Sequence, residues 1–129
     1  MTESEEERRA RGIAKMKEVY GWDFGDGSGD FWAYTADHLF ADIWSRDGLD
    51  IPQRRLMLIG ALAASNKLDV VELQLQCAYD LGELDDVALR EIVIFLAHYV
   101  GWPTAGALTP VVEKMIAKRA KDETADGRA

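Results

Sequence analysis

Three polar side chains in the C-terminal half of the chain, which share a helix face with Phe95, have the types and spacing for acid and base chemistry. Glu91, Phe95, His98 and Tyr99 recur at three- and four-residue intervals, and residues with this spacing lie on one side of a helix. There, Glu91 and His98 could form an acid and base couple, with Tyr99 as a hydrogen-bond donor. The alternative is structural, with Glu91 as an ion-pair partner and His98 as a hydrogen-bonded core or interface residue.

Two further polar residues are candidates for binding a ligand. Arg54 lies in the first turn of a helix that quickly becomes apolar, which could place its guanidinium at a pocket mouth, where its planar fork suits a carboxylate. Gln74 lies on the next helix and could hydrogen-bond a carbonyl, but it cannot shuttle a proton as histidine does. The alternatives are an ion pair for Arg54 and a plain helix position for Gln74. We interpret Arg46 and Arg55 as surface or interface ion pairs.

Thiol and metal chemistry find little support in the sequence. Cys77 is the one cysteine, so an internal disulfide and a Cys-x-x-Cys redox pair are excluded, and a lone helical thiol usually packs as a small apolar group. His38 and His98 lie far apart, without the spacing of a zinc site. The acidic segment 23–30 lacks the spacing of a calcium loop. We therefore expect no metal and no cofactor.

Helical periodicity predicts the elements that position these residues. Apolar spacing indicates helices over 3–20, 31–44, 53–65, 70–81, 87–100 and 104–121. The expected N-caps are Asp50, Asp69 and either Asp85 or Asp86, and the expected glycine stops are Gly48, Gly82 and Gly101. No segment alternates apolar and polar residues for more than a few positions. We predict an all-α fold, an antiparallel bundle of about six helices in a single domain over 1–129.

Two segments outside these helices carry separate expectations. The glycine-rich stretch 21–30 reads as a loop, and the polar tail 122–129 is expected to fray. Aromatic residues in and after the loop could form a lid over an apolar ligand, although packing between this arm and the body or a neighbouring subunit is the favoured interpretation. The residues concerned are Trp22, Phe24, Phe31, Trp32 and Tyr34.

Composition limits the classes of partner. The net charge of −8 argues against nucleic acid, because phosphate binding requires clustered Lys and Arg. The longest nearly apolar runs, 56–64 and 92–97, are too short to cross a bilayer, and the N-terminus is charged where a signal peptide would be apolar. We expect a cytoplasmic protein without membrane contact. Residues 56–64 are apolar on every side, which predicts burial by other helices or subunits.

An ordered set of motifs resembles the carboxymuconolactone decarboxylase family. The central block holds Asp42-x-Trp44-x-Arg46-x-x-Leu49, then Arg54-x-Leu56, Ala61-Leu62, Ala78 and Gly82. The closing block holds Leu89-Arg90-Glu91-Ile92 and Tyr99-x-Gly101-x-Pro103. The resemblance covers residues 31–115 and leaves out 1–30 and the tail.

The resemblance implies an alkyl hydroperoxidase D-like helical subunit that assembles into trimers or hexamers, with a pocket between helices near the subunit interface. It also implies cofactor-free removal of a carboxylate from an unsaturated lactone or keto acid. In that scheme Arg54 anchors the anion, Gln74 and Tyr99 polarise the carbonyl, and Glu91 or His98 moves the proton.

Three positions depart from the family pattern. Gln74 stands where a histidine is common, Phe95 replaces a polar residue in the substrate pocket, and Glu83 is an extra residue in the turn after Gly82. The loss of polar groups leaves a non-catalytic, oligomeric ligand- or protein-binding role as an alternative. A peroxidase role is disfavoured because Cys77 has no resolving partner.

Overall fold

The computed structural model describes residues 2–127, and every regular element in that range is helical. The six α-helices and the absence of strands from these residues confirm the predicted all-α fold. They are α1 (Glu5–Tyr20), α2 (Asp30–Ala33), α3 (Ile51–Ala64), α4 (Leu68–Asp80), α5 (Asp86–Val100) and α6 (Trp102–Ala125). The last two residues of the predicted frayed tail lie outside the described range. None of the helices within residues 2–127 is both long and apolar enough to span a bilayer.

The chain divides between Arg54 and Arg55 into two compact units. The first unit contains α1, α2 and the residues that follow them as far as the start of α3. The second unit contains the rest of α3 together with α4, α5 and α6. Most of the candidate site residues belong to the second unit.

In the first unit, α1 begins and ends with strong local signals. The Ser4 hydroxyl accepts a hydrogen bond from the Glu7 backbone N–H at 3.1 Å, as an N-cap does. Gly21 ends the helix at φ 92°, in the left-handed region that glycine adopts without strain. Gly12 lets α1 pack closely on the following helix, since a Cβ there would lie 1.9 Å from the Ala36 carbonyl oxygen.

The second predicted helix is mostly a π-helix rather than an α-helix. Helix α2 continues directly as a π-helix over Tyr34–Ile43, and the Trp44 N–H donates to the Leu39 carbonyl five residues earlier at 2.9 Å. The helix ends at Ile43, one residue before the predicted end at 44, but its C-cap is Trp44 and not the predicted Gly48. Ion pairs across to α1 favour the wider repeat: Asp37 binds Arg9 and Asp42 binds Arg8, and aspartates five residues apart would point to different sides of an α-helix.

The helix boundaries after residue 50 largely follow the predicted caps. The Asp50 carboxylate accepts from the Gln53 N–H at 2.8 Å and the Gln53 side chain accepts from the Asp50 N–H at 2.9 Å, a capping box. Asp85 caps α5 through the Ala88 N–H at 2.8 Å. The predicted Asp69 cap is wrong, because α4 begins at Leu68 and its cap position, Lys67, makes no side-chain hydrogen bond.

The second unit is organised around one apolar core to which all four of its helices contribute. The helices show the three- and four-residue spacing of buried positions that the sequence predicts. Full burial of each large aliphatic side chain contributes roughly 1.5–3 kcal/mol to folding. The core residues include Ile59 and Ala63 from α3, Val71 and Leu75 from α4, Leu89 and Val93 from α5, and Leu108 and Val112 from α6.

Candidate functional site

An open groove runs between α3 and α5 in the second unit. It has a volume of about 700 Å³, which is within the range of small-molecule sites. Its wall is mostly apolar, as the all-round apolar character of α3 leads one to expect. The lining residues are Leu56, Met57, Ile59, Gly60, Ala61, Leu84, Ala88, Glu91, Ile92, Phe95 and Leu96.

Glu91 is the single ionisable residue among the described residues that line the groove. It lies on the same side of α5 as Ala88 and Phe95, because positions three and four apart on a helix are neighbours. The shared face of Glu91 and Phe95 is the one that the sequence spacing predicts. A carboxyl group in an apolar groove can give a proton to a bound molecule or take one from it.

Phe95 is the aromatic residue of the groove lining, and Tyr99 follows it one turn later on α5. The Phe95 side chain is 63% exposed and the Tyr99 side chain is 76% exposed. Their ring centroids lie 5.0 Å apart, within the range of favourable aromatic pairs. Tyr99 is not among the described residues that line the groove; it follows Phe95 by one turn of α5, and we call this position the rim of the groove.

His98 is engaged at the end of α5. Its Nδ1 lies 2.8 Å from the Ile94 carbonyl oxygen. Because a carbonyl oxygen only accepts hydrogen bonds, this contact requires a proton on Nδ1, and the other ring nitrogen, Nε2, takes no part in it. Its ring also packs edge-to-face on Trp102, with centroids 5.0 Å apart. Glu91 and His98 are separated by seven residues, or about 10 Å along the helix axis, so they are not in hydrogen-bond contact.

Gln74 lies in a buried polar cluster that is separate from the groove lining. Its side chain is 1% exposed, and its Oε1 accepts a hydrogen bond of 2.9 Å from the Arg55 guanidinium. Arg55, also 1% exposed, donates two further bonds to the Glu83 carboxylate, at 2.8 and 2.9 Å. We call Arg55, Gln74 and Glu83 the Arg55 cluster. Arg55 was interpreted as a surface or interface ion pair; it does form an ion pair, but with Glu83 and in a buried position rather than on the surface of the chain.

The position of Arg55 on α3 buries its side chain, so its charge needs partners inside the unit. Arg55 lies one turn before Ile59, and both face the interior of the unit. An unpaired charge at such a position would be strongly unfavourable, and the bidentate Glu83 carboxylate and the Gln74 amide oxygen help to offset this cost. Burial also raises the pKa of the nearby Cys77 thiol, and the positive charge of Arg55 only partly opposes this effect.

The Arg54 side chain contacts backbone carbonyl groups of the first unit. Its Nη1 donates to the Leu49 carbonyl oxygen and lies 3.4 Å from the Trp44 carbonyl oxygen. Both carbonyls belong to the turn that precedes α3, so the guanidinium stabilises this turn.

The structure places the site residues predicted from the sequence in different surroundings. Glu91 and Phe95 line the groove, with Tyr99 at its rim, whereas Arg54, Gln74 and His98 make the separate contacts described above. Arg55 and Glu83 were not among the site candidates. The available signals were an arginine one position before a run of apolar residues and an acidic residue added to the turn after Gly82.

Comparison with known proteins finds a relative of the same approximate length. The 4-carboxymuconolactone decarboxylase of Acinetobacter baylyi is 25% identical over 120 residues, which represent 87% of this chain and 89% of that protein. No family model matches the sequence, and no solved structure matches it. The similarity supports a relationship to a decarboxylase-like family.

Proposed function

We propose that this protein is a carboxymuconolactone decarboxylase-like lyase that binds an unsaturated lactone or keto acid carboxylate in the groove between α3 and α5. The observation that carries the proposal is the lone carboxyl group of Glu91 in an otherwise apolar groove of about 700 Å³. The similarity to a decarboxylase over most of the chain gives independent support.

The proposed reaction needs no cofactor. The bond between the substrate carboxylate and its carbon breaks, CO₂ leaves, and the electron pair passes into the conjugated lactone or keto carbonyl as an enolate. The Glu91 carboxyl group then transfers a proton to carbon, and the resulting carboxylate regains a proton from water. The net change is consumption of one proton and release of one CO₂.

The apolar lining supports this chemistry in a second way. A substrate carboxylate loses hydration when it enters such a groove, whereas the departing CO₂ is neutral and the charge of the enolate is more dispersed. Removing water therefore destabilises the bound carboxylate more than the transition state. Phe95 contributes apolar contact with the ring of the substrate. Tyr99, at the rim, would donate a hydrogen bond to the carbonyl oxygen on which charge develops.

One observation favours a second candidate function, which is binding without catalysis. Apart from Glu91, the described residues that line the groove are all apolar, and such a surface suits a neutral apolar ligand at least as well as an anion. In that case the fold and the groove would persist while the lyase reaction would not.

The test compares two glutamates that differ in their relation to the groove. Glu91→Gln removes the proposed proton donor with little change of shape. Glu72→Gln is the matched control, because Glu72 is an exposed residue of α4 outside the groove lining. With carboxymuconolactone as substrate, we expect Glu91→Gln to lower kcat by a factor of ~10²–10⁴ and Glu72→Gln to leave it unchanged.

The remaining outcomes separate the two candidates. If the wild-type protein binds a lactone acid or an apolar analogue but releases no CO₂, the binding function replaces the lyase. Equal kcat values for wild type and Glu91→Gln would remove Glu91 from the mechanism.

A further inference from the structure

In the Arg55 cluster, the guanidinium group of Arg55 has the geometry to bind a carboxylate, and the carboxylate of Glu83 already occupies it. The Arg55 guanidinium holds the two oxygens of Glu83 through Nε and Nη2, at 2.8 and 2.9 Å. This paired arrangement is the one by which arginine binds the carboxylate of a ligand. The guanidinium is held from a third direction by Gln74 at 2.9 Å, so its orientation is fixed before any ligand arrives.

The cluster is next to the groove along the chain. Leu56, which follows Arg55, and Leu84, which follows Glu83, both line the groove, as does Ile59 one turn beyond Arg55. The Arg55 and Glu83 pair therefore joins the two backbone segments that form this end of the groove. No described residue of the groove lining itself is cationic, and Arg55 directly precedes the lining residue Leu56 in the chain.

The turn that carries Glu83 has a backbone hydrogen bond that does not involve its side chain. Glu83 lies in the turn between α4 and α5, whose backbone is held independently by the Glu83 N–H bond to the Ala78 carbonyl at 2.8 Å. Its side chain is 12% exposed, against 1% for Arg55. A rotation about the side-chain bonds of Glu83 would bring its carboxylate into water and open the guanidinium, while the turn keeps its hydrogen bonds.

We propose that Arg55 is a latent carboxylate-binding site at the end of the groove and that Glu83 occupies it as an internal competitor. A ligand with an apolar body and one carboxylate would place its body along α3 and α5 and exchange its carboxylate for that of Glu83. This inference rests on the proposed function in using the same groove, but it concerns binding alone and requires no reaction.

The experiment removes the internal competitor and measures charge selectivity. Glu83→Gln keeps the length of the side chain and removes its negative charge. Binding of benzoate and of its neutral analogue benzyl alcohol is measured by titration calorimetry in wild type and in the variant. We expect the affinity for benzoate to rise at least about tenfold, as a charged hydrogen bond to arginine provides, and the affinity for benzyl alcohol to stay nearly constant.

Two further variants test whether the gain in benzoate affinity depends on Arg55. In the double variant Arg55→Met with Glu83→Gln, the gain for benzoate should disappear. Glu113→Gln is the matched control, because Glu113 forms the same two bonds with Arg90, both at 2.9 Å, on the surface. A folded Glu83→Gln protein without a gain for benzoate would overturn the proposal. So would a gain of the same size in Glu113→Gln, or one that persists in the double variant.

A fallback covers instability of the first variant. If Glu83→Gln does not fold, Glu83→Asp takes its place, because aspartate keeps the charge and retracts the carboxylate by one methylene. A smaller gain for benzoate alone supports the site, and no gain overturns it. Since benzoate does not react, a gain without any lactone turnover would refute the proposed lyase only, and turnover without a gain would refute the latent site only.

Discussion

The carboxylate of Glu83 lies in the fork of the Arg55 guanidinium, with two hydrogen bonds of 2.8 and 2.9 Å, inside the second unit. The same pairing occurs between Arg90 and Glu113, at 2.9 Å for both bonds, but there each side chain is about half exposed. These two bidentate pairs have the same geometry, but one is buried and the other is exposed. Because water competes for the exposed pair and not for the buried one, loss of a partner has different consequences in the two places.

Loss of Glu83 should destabilise the fold strongly. Glu83→Ala leaves the buried Arg55 charge uncompensated, and we expect the free energy of unfolding to fall by roughly 3–5 kcal/mol. Urea denaturation measures this change. Glu113→Ala is the control and should have little effect, and the double variant Arg55→Met with Glu83→Leu should recover most of the loss. Equal effects of the two alanine variants would contradict the assigned burial.

Tyr79 should make stability depend on alkaline pH. Burial, and then the hydrogen bond of its hydroxyl to Asp86 at 2.5 Å, raise the pKa of Tyr79 to about 12 from a usual value of 10.0. The unfolded chain releases this proton first as pH rises. The stabilisation is therefore complete below pH ~10 and is lost between pH ~10 and ~12, by at most about 2–3 kcal/mol. Urea denaturation of wild type and Tyr79→Phe tests this, since only the wild type should lose this contribution. Parallel pH dependences would show that Tyr79 is not the cause.

Cys77 should be inert as a peroxidatic thiol. The side chain is buried, and burial raises the pKa of the thiol, so the reactive thiolate is scarcer near neutral pH than in a free cysteine. We expect slow labelling by a thiol reagent in the folded protein and no reduction of hydroperoxide in the presence of a dithiol. Robust peroxide turnover that vanishes in Cys77→Ser would contradict this prediction.

The protein is expected to assemble with copies of itself. Leu56, Met57 and Phe95 are exposed on the second unit, and exposed apolar surface of this kind commonly marks an interface or a ligand site. We expect a trimer or hexamer, as the family resemblance implies. Light scattering at micromolar concentration should give three or six times the chain mass of 14.4 kDa. A measured mass of 14.4 kDa would contradict the predicted assembly, because it is the mass of a single chain.

Local signals explain how far the fold could be predicted from sequence. Several features at the helix ends depend on only a few neighbouring residues, so they can be predicted from the sequence. They are the Asp50 and Gln53 capping box, the Asp85 cap and the positive φ angles of Gly82 and Gly101. The π-helix over Tyr34–Ile43 is different. Its repeat matches ion pairs and a close approach to α1, and those partners lie far away in the chain.

The same distinction applies to the candidate site. The common face of Glu91 and Phe95 follows from their spacing on one helix, and both line the groove. The Arg55 cluster combines residues 19 and 28 positions apart, and no helical period connects them. An arginine before an apolar run is also compatible with the surface, so its burial could be recognised only once Glu83 and Gln74 were placed beside it.

The most direct test of the central claim is to fill the groove and measure ligand affinity. Gly60 lines the groove and Gly106 does not, yet both are helical glycines whose added Cβ would meet nothing within 4 Å. A saturated lactone carboxylic acid is titrated into wild type, Gly60→Leu and Gly106→Leu, and the three affinities are compared. We predict that Gly60→Leu weakens binding at least about tenfold and that Gly106→Leu binds as wild type does. Unchanged affinity in Gly60→Leu would contradict the assignment of the groove between α3 and α5 as the ligand site.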